Sequence, residues 1–97
     1  MKIFALEKFR SGVTLEQAKP MLKKECRAVW ELYKQNILRE IYYLQGQPGV
    51  MLILECDDVE AAKTTLSELP IVKEGYCEFE FFPVVPFKGF ESLFAPE

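Results

Sequence analysis

The chain contains no histidine, and its cysteines are few and far apart. Cys26, Cys56 and Cys77 are the only three in 97 residues, and no two of them have CxxC spacing. The sequence therefore lacks the usual ligand sets of zinc sites and the histidine that commonly ligates haem. It also lacks a glycine-rich phosphate loop, so neither a metal nor a cofactor is expected. The cysteines are typical of reduced core residues.

Long apolar runs and a strong excess of one charge are also missing. No segment approaches the roughly 20 apolar residues of a membrane-spanning helix, and the start, MKIFALEKFR, lacks the apolar stretch of a signal peptide. A cytoplasmic location is expected. The net charge of -3 gives no electrostatic reason to expect a nucleic acid or an anionic membrane as partner.

What is present is enough apolar material for one core. Hydrophobic residues make up 49% of the chain, an ordinary share for a globular protein, and this length fits one domain. We therefore expect residues 1–97 to form a single domain.

The first third of the chain predicts a strand followed by a helix. Residues 2–10 are compatible with a β-strand, and Thr14 with Gln17 forms a plausible capping box. Because proline is tolerated in the first turn of a helix, the main helix is predicted from about Pro20 to Gln35. Its apolar stripe has the spacing i, i+4, i+7 and i+11: Leu22, Cys26, Val29 and Tyr33.

The remainder predicts a hairpin, a second helix and a last strand. Residues 37–45 and 50–56 are rich in strand-forming residues and are joined through GQPG. Asp57 or Asp58 can cap a helix that ends before Pro70. Residues 76–85 alternate strictly, which predicts that one set of side chains faces the helices. That set is Cys77, Phe79 and Phe81.

This order of elements is typical of the ferredoxin-like βαββαβ arrangement, an α+β fold with a four-stranded antiparallel sheet and two helices on one face. The opposite face would then be uncovered and apolar. A soluble monomer seldom exposes so large an apolar area, so we expect a homodimer that pairs these faces. The residues assigned to this face by alternation are Phe4, Leu6, Leu52, Leu54 and Phe82.

The C-terminal tail, residues 86–97, is also rich in apolar side chains. It contains Phe87, Phe90, Leu93 and Phe94, more apolar groups than a disordered end normally carries. We expect the tail to pack on the domain or on a partner subunit.

Several segments resemble the muconolactone isomerase-like family of the dimeric α+β barrel group. The resemblance extends over residues 2–90, and three segments carry it: REIYYLQGQPGVMLILE, LSELPIVKEGYCEFEFFPV and PFKGF. It implies a dimeric α+β barrel and a cofactor-independent isomerase or cyclase. It also implies a pocket for a small apolar or lactone-like molecule between the helix-free sheet face and the partner.

On that resemblance, the polar and aromatic residues of the helix-free face are the candidate site. A proton shuttle without histidine needs a carboxylate with a raised pKa, so Glu40 is the candidate base and Tyr42 the group that polarises a carbonyl. The expected substrate-binding residues are Phe4, Leu6, Lys8, Glu78, Glu80 and Phe82.

Two alternatives stay open at this point. The glutamates of the last strand could instead form a solvated rim or pair weakly with Lys8 and Arg10. The domain could also be a non-catalytic dimeric module that binds a ligand or another protein. A bulge in the second strand would reverse which of its side chains face the pocket.

Overall fold

A computed structural model describes residues 1–96 as one four-stranded antiparallel sheet with helices on one face. The strand order is β2-β3-β1-β4, which is the ferredoxin-like arrangement expected from the order of elements. The strands are β1 (Lys2–Phe9), β2 (Leu38–Tyr43), β3 (Val50–Glu55) and β4 (Cys77–Val84).

Four α-helices and two 3-10 segments complete the fold within residues 1–96. The α-helices are α1 (Leu15–Ala18), α2 (Leu22–Lys34), α3 (Val59–Ser67) and α4 (Pro70–Lys73). The 3-10 segments are Lys19–Met21 and Gly89–Phe94. The helix predicted from Pro20 therefore begins as a 3-10 turn and becomes α-helical at Leu22.

The predicted helix caps are present. The Thr14 hydroxyl accepts a hydrogen bond from the Gln17 amide at 3.3 Å, and the Gln17 side chain accepts one from the Thr14 amide at 2.8 Å. At α3, the Ala61 amide donates to the Asp58 carboxylate at 2.8 Å. Each cap satisfies amides that the first helical turn leaves without partners.

The main core lies between the sheet and the helices. Ile3 and Ala5 of β1 are fully buried there against Leu66 of α3. Leu54 pairs with Ile3, and Leu52 pairs with Ala5. Directly opposed residues share a sheet face, so the expectation that Leu52 and Leu54 lie on the helix-free face was wrong.

The helix-free face is formed by the other set of alternating side chains. Phe4 is flanked by Ile53 on β3 and Phe82 on β4, and Leu6 is flanked by Met51 on β3. Met51 and Ile53 thus occupy the positions that had been expected for Leu52 and Leu54. The side chains of β3 are apolar on both faces of the strand. The sequence alone therefore could not show which alternate residues face the helices.

Strand β2 contains a β-bulge near its start. Leu38 pairs with Leu54, whereas Glu40 pairs with Ile53, so Arg39 is the extra residue. Without the bulge, Leu38 and Glu40 would lie on the same face. With it, Leu38 is buried on the helix side and Glu40 lies on the helix-free face.

The tail is exposed in the single chain. Phe87, Phe90 and Phe94 are 75%, 67% and 85% exposed, although the rings of Phe87 and Phe90 contact each other edge to face at 5.0 Å. The expectation that residues 86–97 pack on the domain or a partner stays a prediction, and Glu97 lies outside the described residues. No helix within residues 1–96 is long and apolar enough to cross a membrane.

Candidate functional site

A cavity of about 470 Å³ lies between helix α2 and the sheet. This volume is within the range of small-molecule sites, which are usually concave and mostly apolar. The walls come from α2, from β1 and from the β2–β3 hairpin, and Ile71 of α4 also contributes.

The apolar stripe of α2 lines this cavity, and Val29 of the stripe also packs on the main core. Leu22, Cys26, Val29 and Tyr33 all line it, and Leu22 and Tyr33 are about half exposed. Helix periodicity predicted which face of α2 points inward, but it does not predict how closely a helix approaches the sheet. The gap between α2 and the hairpin is what provides space for a ligand.

Glu7 projects into the cavity from β1. It follows Ile3 and Ala5 on the helix side of the strand and is only 6% exposed. Burial raises the pKa of the Glu7 carboxyl, while hydrogen bonds from the Cys77 thiol and the Val50 backbone lower it. The Cys77 sulfur lies 3.6 Å from Glu7 Oε2.

Glu25 enters the same cavity from α2. It is 9% exposed and is the one buried side chain in that helix. The Ile71 amide donates a hydrogen bond to Glu25 Oε1 at 3.2 Å. Burial raises the pKa of Glu25, the hydrogen bond from Ile71 lowers it, and the negative charge of Glu7 raises it further.

The two carboxyl groups form an acidic pair in an apolar cavity. No lysine or arginine lines the cavity within the described residues, so no basic side chain there neutralises either glutamate. Two like charges in a poorly solvated site favour retention of a proton by one of them. Such a pair can offer a hydrogen-bond donor and an acceptor to the same ligand.

The hairpin approaches β1 closely at Gly49, which also lines the cavity. Its φ is +116°, and a Cβ at this position would lie 2.9 Å from the Glu7 carbonyl oxygen. A larger residue would therefore strain the backbone and push the hairpin away from β1. Gly49 thus helps to hold the cavity wall beside Glu7.

Aromatic side chains line the more exposed part of the cavity. Trp30 and Tyr33 stack on each other with ring centroids 5.4 Å apart and an interplanar angle of 17°. Both side chains are about half exposed. Stacked rings at this position offer an apolar surface to a planar ligand.

The predicted catalytic residues Glu40 and Tyr42 lie together on the edge strand β2. The Tyr42 hydroxyl donates a hydrogen bond to Glu40 Oε1 at 2.5 Å, and this bond raises the pKa of Tyr42. Both side chains are exposed, and their partners Ile53 and Met51 are on the helix-free face. Residue Tyr42 also borders the cavity at the sheet edge.

The predicted binding residues lie on the opposite face of the sheet from the buried glutamates. Lys8 and Glu80 form an ion pair at 2.6 Å, and Arg10 and Glu78 approach to 3.9 Å. All four side chains are about half exposed or more. Phe4, Leu6 and Phe82 form the apolar part of the same face. The structure therefore brings these predicted residues together, but away from Glu7 and Glu25.

Sequence analysis missed Glu7 and Glu25, although each interrupts an apolar pattern. Glu7 stands among the apolar odd positions of β1, which are Ile3, Ala5 and Phe9. Glu25 lies three residues after Leu22 and four before Val29, on the inward face of α2. A carboxylate within an apolar stripe is the signal that could have identified both residues.

The cysteines and acidic residues in the described part of the chain do not cluster into a metal site. Within residues 1–96, no group of three or more histidine, cysteine, aspartate or glutamate side chains could hold a metal ion. Cys26 is exposed, Cys56 is partly buried and Cys77 is buried. Burial and the neighbouring Glu7 raise the pKa of the Cys77 thiol to about 12, which makes this thiol a poor nucleophile.

The fold is similar to that of two solved enzymes. One is 5-chloro-2-hydroxyhydroquinone dehydrochlorinase (TftG) from Burkholderia phenoliruptrix AC1100, in complex with 2,5-dihydroxybenzoquinone. It matches with a TM-score of 0.75 and 15% identity over 92% of this chain and 98% of that chain. The other is muconolactone isomerase, with a TM-score of 0.72 and 18% identity over 91% of this chain and 92% of that chain.

Comparison of the sequence alone identifies no relative. No family profile matches the chain, and no curated protein matches it. At 15% and 18% identity, the likeness concerns the fold and not the activity. The sheet order, the helices on one face and the likeness to these solved structures together show that this chain has the muconolactone isomerase-like α+β fold.

Proposed function

We propose that this domain is a cofactor-independent isomerase or cyclase that moves a proton on a small molecule bound between α2 and the sheet. The observation that carries the proposal is the pair of buried carboxyl groups, Glu7 and Glu25, in an apolar cavity of about 470 Å³. Paired carboxyl groups with raised pKa values are a common solution for acid and base chemistry without histidine.

The two glutamates would have complementary roles. The ionised member removes a proton from a carbon next to a carbonyl group, and the protonated member donates a hydrogen bond to the carbonyl oxygen. Return of the proton to a different carbon yields an isomer and restores the carboxylate. The apolar walls lower the polarity around the two carboxyl groups, which strengthens these interactions.

The structural matches support this class of reaction without specifying a substrate. By name, one neighbour is an isomerase and the other is a dehydrochlorinase. A fold of this kind can carry several activities. For this reason, the proposal for this chain depends on Glu7 and Glu25.

Glu40 and Tyr42 define a competing site for the same class of reaction. Their side chains are hydrogen-bonded to each other on the exposed edge strand, and the helix-free face with Lys8 and Glu80 lies beside them. If this face packs on a second copy, these residues would border a pocket between the subunits. The buried pair is favoured because burial raises the pKa values of Glu7 and Glu25, as proton transfer by a carboxyl group requires.

Proton exchange on carbon tests the proposal directly. The protein is incubated in D₂O with small lactones and enolisable cyclic ketones, and deuterium incorporation is followed by NMR. We expect Glu7→Gln and Glu25→Gln each to slow exchange by on the order of a hundredfold, the usual contribution of a positioned acid or base.

Glu40→Gln serves as the matched variant, because it makes the same change on the exposed strand. If Glu40→Gln loses activity and the two buried variants do not, the active site is on the helix-free side. Binding without exchange by the wild-type protein would instead favour the non-catalytic ligand-binding module.

A further inference from the structure

The cavity has acidic side chains where a site for an anionic ligand would have basic ones. Its two ionisable groups with the least exposure are Glu7 and Glu25, and no lysine or arginine lines it among residues 1–96. The basic side chains nearest in sequence to Glu7, Lys8 and Arg10, are engaged with Glu80 and Glu78. An anionic group in the cavity would be desolvated beside two acidic groups, with no basic side chain among the described lining residues to pair with it.

The cavity can nevertheless satisfy a neutral polar group. Glu25 uses Oε1 to accept from the Ile71 amide, and Oε2 has no hydrogen-bond partner within the part of the chain described. Glu7 Oε2 accepts a hydrogen bond from the Cys77 thiol. A hydroxyl group on a ligand could donate to the ionised member of the pair, and a carbonyl group could accept from the protonated member.

The aromatic wall adds a preference for shape. The stacked rings of Trp30 and Tyr33 and the aliphatic side chains of Leu22, Val29 and Leu38 offer apolar surfaces to a planar ring. From the charge and the shape together, we propose that the cavity takes neutral, planar ring compounds with a hydroxyl or carbonyl group and rejects carboxylates. This inference rests on the proposed function, because it concerns the same cavity, and it names the class of substrate.

Three two-ring probes of similar size test this selectivity at pH 7: 2-naphthol, 2-naphthoate and 2-naphthylmethylamine. Dissociation constants come from protein-observed NMR titrations, in which shifts of the Val50 and Ile71 amides report on the cavity. We expect 2-naphthol to bind at least about tenfold more tightly than 2-naphthoate, since placing like charges together without compensation is costly. The difference should fall to within about threefold in the Glu7→Gln/Glu25→Gln double variant.

Glu31→Gln is the control, because Glu31 lies on α2 with half of its side chain exposed and is paired with Lys34. It removes the same charge and should leave the tenfold difference unchanged. The single variants Glu7→Gln and Glu25→Gln replace the double variant if it does not fold, and each should narrow the difference in part.

Equal or tighter binding of 2-naphthoate, tightest binding of the amine, or no shifts at Val50 and Ile71 would each overturn the inference. These results are separate from the exchange assay. Selective binding without any proton exchange would leave the inference intact and contradict the catalytic proposal, whereas exchange on a carboxylate-bearing lactone would do the reverse.

Discussion

Two buried glutamates link the stability of this protein to pH. Burial raises the pKa of Glu7 and of Glu25 above the ordinary value of 4.5. In the range above 4.5, the folded state then binds more protons than the unfolded state. The contribution of these groups to stability is therefore intact at pH values below 4.5 and is lost as the pH rises through their folded-state pKa values.

Replacing both glutamates with glutamine should remove this dependence. We expect the melting temperature of the Glu7→Gln/Glu25→Gln variant, measured relative to that of the wild type, to rise as the pH increases from 4.5 to 8. The reason is that glutamine keeps an acceptor for the Ile71 amide but cannot ionise. Thermal unfolding followed by circular dichroism over this pH range measures the difference. Glu31→Gln is the control, and a difference between variant and wild type that does not change with pH would contradict the interpretation.

At the scale of the element, the bulge in β2 decides which side chains reach the core. Arg39 is the extra residue, and its Nε donates a hydrogen bond to the Asn36 carbonyl at 2.7 Å. Asn36 has a positive φ of 64°, a conformation that asparagine tolerates better than most residues. Together they set the strand so that Leu38 is buried and Glu40 is exposed.

Deleting Arg39 should therefore be much more damaging than truncating it. The deletion would force Leu38 or Glu40 onto the wrong face of the sheet. We expect the free energy of unfolding to fall by about 2–5 kcal/mol, as in truncations of core residues. Arg39→Ala keeps the bulge and should change stability by no more than about 0.5 kcal/mol, as for most surface substitutions. Urea unfolding measures both, and similar losses in the two variants would show that the side chain, not the bulge, sets the register.

At the scale of the whole molecule, the single chain leaves apolar surface uncovered. The radius of gyration of the Cα atoms is 16.2 Å, whereas a compact chain of this length is expected to have about 12–13 Å. The exposed tail aromatics and the side chains of Phe4, Leu6 and Phe82 on the helix-free face are consistent with burial against a second copy. We therefore propose a homodimer in which the helix-free faces pair and the tail contacts the partner.

A charge on the helix-free face should weaken this dimer without unfolding the chain. We expect Leu6→Glu to raise the dimer dissociation constant by tenfold or more, because a buried unpaired charge at an interface is costly. Sedimentation velocity at several protein concentrations measures the change, and circular dichroism checks the fold. Removing residues after Pro86 should weaken association in the same assay.

Two further variants separate the interface from the core. Lys63→Gln on α3 is the surface control and should dimerise normally, whereas Leu54→Glu should unfold the chain because Leu54 is fully buried. A wild-type protein that is only monomeric at micromolar concentration would contradict the proposed dimer.

Local sequence patterns were sufficient to predict the four strands, the helices α2 and α3 and their order, whereas the short helix α4 and the 3-10 segment of the tail were not predicted. Thr14 and the pair Asp57 and Asp58 predicted where two helices begin, and the side chains of Thr14 and Asp58 bond to nearby amides of the same segment. The alternation from Cys77 to Phe81 predicted which side of β4 faces the helices. Each of these signals is carried by residues within a few positions of each other: a capping side chain with the amides of its own first turn, or alternate positions of one strand.

The candidate site depends on contacts between residues that are far apart in the chain, which no local sequence pattern reveals. Glu7 and Glu25 are 18 positions apart in the sequence. They share a cavity only because the tertiary structure places β1 and α2 on opposite sides of the same space. The face of Leu52 and Leu54 likewise depended on their pairing with Ala5 and Ile3 across the sheet. By itself, the sequence determined the order and amphipathic character of the elements, since those follow from neighbouring residues. Only the tertiary structure decided strand parity, the position of the cavity and the raised pKa values, because each depends on contacts between segments that are distant in the chain.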